Sequence, residues 1–211
     1  MNIPKRKRSV IAFTDALCRL ACDTPVKKIS VTGICGEAGY TSMAFYSSFE
    51  NKYDLVSSII DFEARVFVSC AYSRLEQTER GCPETGSLTD FRRLYLTDYF
   101  EHIDENRTLY HCILNDLIVQ NGIALLSGRI ANYMHSCLKL RAEKHPAIPD
   151  FTDFYLEITE AHMLMFVRHW LNKIPETEPV SAAELYCDQF MLPRIVSFER
   201  DPESGVFQAS L

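Results

Sequence analysis

Apolar side chains recur along this chain at spacings of three and four residues, and the period-two alternation of a half-buried strand is almost absent. Val10, Phe13, Leu17, Leu20 and Ala21 share one helical face, which Asp23-Thr24-Pro25 ends. Ser30 then stands as an N-cap, with Gly33 where a reciprocal capping box needs Glu, so the cap is a single bond. Val31, Ile34, Cys35 and Ala38 follow at helical spacing, and Gly39 comes where a helix end needs positive φ. Thr41 or Ser42 caps a short third helix whose apolar side is Phe45 and Phe49. Asn51 caps a long fourth, with Leu55, Ile59, Phe62, Val66 and Cys70 on one side; running on to Glu79 it would reach about 40 Å at 1.5 Å per residue.

The run from Gly81 to Ser87 reads as a loop. Beyond it the same spacing predicts helices over 88–103, 109–119, 123–141, 151–173 and 180–192, with Pro193 and a polar tail closing the chain. That makes about nine helices and an all-α fold class. Composition supports a folded globular protein: 47% of the 211 residues are hydrophobic and 24% charged, and 8 Gly with 9 Pro exclude collagen-like and low-complexity classes. No apolar run approaches the length of a membrane helix, and Thr14, Asp15 and Arg19 interrupt what would follow a secretory signal's basic start. Eight cysteines are scattered along the chain without a CxxC, the pattern of free thiols in a reducing cytoplasm.

Charge divides the chain. Residues 1–53 hold 8 Lys/Arg against 4 Asp/Glu, a net of +4, and residues 54–211 hold 14 against 24, a net of −10. A basic first quarter on an acidic protein points to a polyanion met by that quarter alone, and a merely solvated tail reads the same way. The segment 30–49 narrows the choice. Two helices joined by a tight glycine turn, the second short and polar outward, describe a helix-turn-helix, although a plain helical hairpin with a polar face shares the pattern. In the first case Phe45 and Phe49 face the interior. Thr41, Ser42, Met43 and Tyr46 then face a major groove, the hydroxyls toward phosphates or base edges and the thioether and ring toward thymine methyls.

The stretch from Ile29 to Leu55 resembles the DNA-binding signature of the tetracycline-repressor (TetR) family in its Ser-Val start, Ile34, Ala38-Gly39, Phe45-Tyr46, Phe49, Lys52 and Leu55. The resemblance implies a three-helix DNA-binding domain over 1–53 and a helical ligand-binding and dimerisation domain over 54–211. The stretches 100–110 and 166–171 are similar to the helical domains of single-component regulators more loosely. The family often places Lys or Arg, then Gly, where this chain has Ser42 and Met43, so arginine readout of guanine is absent from this helix. The implied operator contacts are then Thr41, Met43 and Tyr46 on bases. Lys52, Ser30, Thr32 and the Tyr46 hydroxyl would take phosphates. Lys5, Arg6, Lys7 and Arg8 would follow the backbone, enter the minor groove or stay solvated.

The family's fold also implies a cavity between the central helices. Phe62, Tyr95, Tyr99, Tyr110, Tyr133, Met134 and Phe166 could converge on it, with His111 as a polar group, or form plain core. One helix-turn-helix reads few base pairs, so a homodimer on a palindromic operator is expected, paired through the last two long helices by Tyr155, Ile158, Met165, Trp170, Leu185, Phe190 and Met191. Phe166 belongs to that stripe as well. His162 and His169, His111-Cys112 and His135-Ser136-Cys137 show no metal-ligand spacing, and no GxSxG, P-loop or GxGxxG occurs, so neither metal nor other cofactor is expected. Cys18 and Cys22, four apart, read as core thiols or as a redox pair. The function expected is a cytoplasmic, ligand-responsive repressor that binds double-stranded DNA and a small-molecule effector, with no membrane and no enzymatic activity. A helical carrier or enzyme with an incidental helix-turn-helix is the alternative.

Overall fold

The computed structural model describes residues 7–79, 88–142, 153–191, 197–200 and 207–210. Nine α-helices occupy them: α1 (Arg8–Asp23), α2 (Val31–Ala38), α3 (Ser42–Tyr46), α4 (Lys52–Glu79), α5 (Leu88–Glu105), α6 (Arg107–Leu114), α7 (Gly122–Ala142), α8 (Asp153–Lys173) and α9 (Pro179–Tyr186). No helix among the described residues is long and apolar enough to cross a membrane.

The first three helices close on an aromatic cluster. Phe13 of α1 meets Phe45 edge-on at 5.2 Å and Tyr40 at 5.3 Å, and Phe45 meets Phe49 at 5.4 Å. Leu17 and Ile34 complete this buried centre. The caps fall where the sequence places them. Gly33 N–H donates to Ser30 Oγ at 3.0 Å, and Gly39 takes φ 71°, which lets Tyr40 N–H return to the Cys35 carbonyl at 2.9 Å. Of the two candidate caps for α3, Thr41 serves, accepting from Ala44 N–H at 3.3 Å. Asn51 Oδ1 accepts from Tyr53 and Asp54 N–H, and Asp54 Oδ2 accepts from Glu50 N–H, so α4 starts with bonds in both directions.

Behind this head, α7 lies against α4 and α8, α5 against α4 and α9, and α6 bridges back to α1. Two elements end earlier than the apolar spacing predicts. The sixth helix stops at Leu114, short of Val119, because Asp116 takes φ 59° and the N–H groups of Leu117 and Ile118 both turn back to the Cys112 carbonyl. The last helix gives way after Tyr186 to a π-helical turn, Cys187–Met191. Past Pro193, Ser197–Arg200 and Phe207–Ser210 pair as a two-stranded antiparallel ladder.

Gly122 starts α7 beneath α6, its N–H donating to Asp116 Oδ1 at 2.8 Å. A Cβ there would lie 1.9 Å from the Ile113 carbonyl oxygen. Gly122→Ala is therefore expected to cost about 2–4 kcal/mol, since backbone rather than a flexible side chain has to yield; equilibrium urea unfolding checks it, and a midpoint unchanged from the parent would contradict this packing.

Candidate nucleic-acid interface and effector core

The short helix α3 has one buried and one open edge. Phe45 is fully buried, which turns Met43 and Tyr46 outward at 83% and 58% exposure. Thr41 is exposed beside them and Ser42 half-buried. Thr32 on α2 is also exposed, and Ser30 keeps its hydroxyl hydrogen while its oxygen serves the cap. Lys7 and Arg8 are exposed at the start of α1, whereas Lys5 and Arg6 lie outside the described residues. Tyr53, which the sequence reading passed over, stands exposed in the first turn of α4 with the Lys52 ammonium 5.2 Å from its ring centre. Its signal was its place: an aromatic at the second position after the Asn51 cap, off the Leu55–Ile59 stripe.

Lys52 does not take the phosphate-facing role expected of it. Its Nζ donates to the carbonyls of Val26 (2.7 Å), Lys27 (3.0 Å) and Ile29 (2.6 Å), so its three hydrogens are used on the turn that precedes α2. Nothing within a few residues of Lys52 announces these partners.

In the helical body, the aromatic positions expected around a cavity divide. Tyr95, Tyr99 and Tyr110 are buried and close-packed; Phe67 meets Tyr99 at 4.8 Å and Tyr95 at 5.7 Å, so their rings fill the space they were expected to surround. Phe62, Tyr133, Met134 and Phe166 are half-buried against that core, with Tyr133 O–H donating to Asp61 Oδ1 at 2.7 Å. His111 is a correction: it is exposed, and its Nδ1 pairs with Asn172 at 3.1 Å at the surface. Grooves of about 490 Å³ (Leu114, Ile123, Ser127, Ile158, Arg168) and about 330 Å³ (Val26, Tyr53, Val56, Ile118, Arg129) involve none of the eight.

The centre of the body holds a carboxylate instead. Glu63 of α4 is 1% exposed, and its Oε2 accepts from Tyr110 O–H at 2.8 Å and lies 2.7 Å from His102 Nε2; Tyr110 O–H also lies 3.0 Å from Tyr99 O–H. Glu63 escaped the sequence reading because it sits on the apolar stripe between Ile59 and Phe67, where periodicity alone predicts a hydrocarbon. Burial pushes both phenols well above their ordinary value, and the Glu63 charge adds to it.

Of the expected pairing residues, Ile158, Met165 and Phe190 are exposed at 53%, 53% and 49%, and Leu185 is half-buried. The side chains of Tyr155 and Met191 lie outside the described residues. Trp170 is a second correction: it is fully buried inside its own chain, stacked on Phe100 at 5.3 Å, with its indole N–H donating to the Thr177 carbonyl at 2.9 Å. No group of three or more His, Cys, Asp or Glu among the described residues is arranged to hold a metal ion.

Nine helices among the described residues, with a helix-turn-helix over α2 and α3, define an all-helical fold. The fatty acid degradation regulator FadR from Bacillus halodurans superposes with a TM-score of 0.60 at 15% identity, over 88% of this chain and 95% of that one. FadR from Thermus thermophilus, a TetR-family transcriptional repressor solved in complex with lauroyl-CoA, superposes at 0.51 and 14% identity, over 92% and 98%. The chain has the fold of the TetR-family regulators. No protein-family model and no curated protein matches its sequence.

The phenols give stability a pH dependence of fixed sign. Their folded-state pKa lies above the unfolded value of 10.0, so their contribution is complete below about pH 10 and is lost as pH climbs beyond it, where only the unfolded chain ionises. Urea midpoints measured from pH 8 to 11 should fall above pH 10. Tyr110→Phe should make that fall shallower and cost about 1–3 kcal/mol at pH 7, because Glu63 loses a donor.

Proposed function

We propose that this chain is a homodimeric, sequence-specific DNA-binding transcriptional regulator, a cytoplasmic repressor released by a small-molecule effector. The observation that carries the reading is the edge of α3: a methionine 83% exposed and a tyrosine 58% exposed, on a short helix whose other edge is locked by Phe45. Soluble domains seldom leave such groups in water beside a basic segment without a partner. In this reading residues 1–53 form the DNA-binding head and 54–211 the effector and pairing body. Thr41, Ser42, Met43 and Tyr46 meet base edges, and Ser30, Thr32, Lys5, Arg6, Lys7 and Arg8 meet phosphates, with exposed Tyr53 joining them. Lys52 acts indirectly, by holding the head in shape.

Two heads are brought together through α8 and the segment after it, where exposed Ile158, Met165 and Phe190 leave apolar area that a second copy would cover. Tyr155, Leu185 and Met191 continue that stripe in sequence, while Trp170 supports it from inside. The lauroyl-CoA bound by the Thermus thermophilus FadR makes acyl-CoA thioesters the first effector class to try. An effector shifts operator affinity only by its differential affinity for the two states of the dimer.

Duplexes selected from a random pool should share a palindromic site, and Met43→Ala should change preference at particular base pairs by about 1–3 kcal/mol while leaving the salt slope alone. Protein that retains no duplex even in dilute buffer overturns the reading. Sedimentation should show a dimer at micromolar concentration and a monomer for Met165→Asp. A parent that sediments as a monomer removes the pairing scheme.

A further inference from the structure

Three cysteines meet where α1 packs on α6. Cys18 and Cys22 stand one turn apart near the end of α1, and Cys112 comes from the middle of α6. The thiols of Cys22 and Cys112 both donate to the Cys18 carbonyl oxygen, at 3.3 and 3.7 Å, so the two sulfurs are no further apart than those distances laid end to end. Exposure sorts the three: Cys18 and Cys112 are buried and Cys22 is exposed. Cys22 opens on a groove of about 530 Å³ between the end of α1 and the 116–120 segment, with the Lys27 cation among its walls. The neighbouring Cys18 thiol holds Cys112 below its ordinary value, while the Cys112 thiol and then burial hold Cys18 above its own. Desolvation and the neighbouring Cys112 raise Cys22.

We propose that Cys22 and Cys112 are a peroxide-sensing thiol pair whose disulfide ties α1 to α6. A hydroperoxide entering the groove meets Cys22, whose thiol proton passes to water. The Cys22 sulfur attacks the outer peroxide oxygen, the O–O bond breaks, and the leaving alkoxide takes a proton from water to become an alcohol. Cys22 is oxidised by two electrons to the sulfenic acid and the hydroperoxide is reduced. The Cys112 sulfur then attacks the Cys22 sulfur, the S–S bond forms, and the displaced hydroxide leaves as water with the Cys112 proton. Two thiols and one hydroperoxide give one disulfide, one alcohol and one water. Disulfide geometry needs Cβ atoms about 3.5–4.5 Å apart, so closing the bond draws the last turn of α1 against α6. An effect on operator binding follows from this tie and rests on the proposed function; the bond itself does not.

The reduced full-length protein is titrated with tert-butyl hydroperoxide, remaining thiols are blocked, and peptides are mapped by mass spectrometry without reduction. The expected product is a Cys22–Cys112 disulfide that forms ahead of oxidation at any other cysteine and reverses with dithiothreitol. In Cys112→Ser, Cys22 is trapped by dimedone as the sulfenic acid; Cys22→Ser, which keeps a donor to the Cys18 carbonyl, leaves Cys112 reduced at the same dose. Cys22 staying reduced while other cysteines oxidise, or pairing with a different cysteine, overturns the proposal. On the selected duplex, the oxidised protein should bind roughly tenfold more weakly and recover on reduction. A mapped disulfide with unchanged affinity overturns control of binding through the tie. A reduced protein that binds no duplex refutes the DNA-binding reading, while the disulfide map still decides the pair.

Discussion

The beginning of α4 is fastened to the segment ahead of α2 by one ammonium group. Lys52 spreads its three hydrogens over the carbonyls of Val26, Lys27 and Ile29, in and just after a short 3-10 turn. A compact charge on a four-carbon stem suits that task, because it can reach three oxygens that no planar group would satisfy together. Everything the head presents is measured from this point. α2 starts at Val31, two residues past the last of these carbonyls, and α3 is set against α2 and α1 by Phe45 and Phe13. Since α4 also runs on into the body, the same anchorage relates the exposed edge of α3 to the interior where Glu63 lies.

That interior is organised by a charge rather than by hydrocarbon. A carboxylate 1% exposed is tolerable only when its oxygens are bonded, and Glu63 draws its partners from α5 and α6, through His102 and Tyr110. The bonds are directional, so they fix the mutual placement of three helices more narrowly than packing of Leu and Phe would. They also set a condition on any effector that enters between these helices: it has to replace bonds to Glu63, not merely displace rings. Arg107 plays a similar joining part nearer the surface, paired with Asp104, donating to the Pro175 carbonyl at 3.0 Å and lying 5.1 Å over the Trp170 ring.

Much of the head could be read in advance because its determinants are local. Ser30, Gly39, Thr41 and Asn51 each act within four residues, through a cap bond or a left-handed backbone that only short-range sterics decide. The body was legible as helices but not as contacts. Apolar spacing continued through Leu117 and Val119, yet Asp116 at positive φ turns the chain there and Asp116 Oδ1 then receives Gly122. Trp170 and Met165 share one helix and one apolar pattern. Only the neighbour each faces separates them: Phe100 and Arg107 for the first, open surface for the second.

The sequence by itself determined the helical class, the order of helices, the turn between α2 and α3 and the residues on the outer edge of α3, since period and capping are properties of a few consecutive positions. The tertiary structure alone decided that Lys52 is spent on carbonyls, that His111 sits at the surface, that His102 and Tyr110 close on a carboxylate, and that Cys22 and Cys112, 90 residues apart, share the Cys18 carbonyl. The reason is physical: a polar side chain's partner is chosen by which distant element packs beside it, and helical spacing carries no record of that choice.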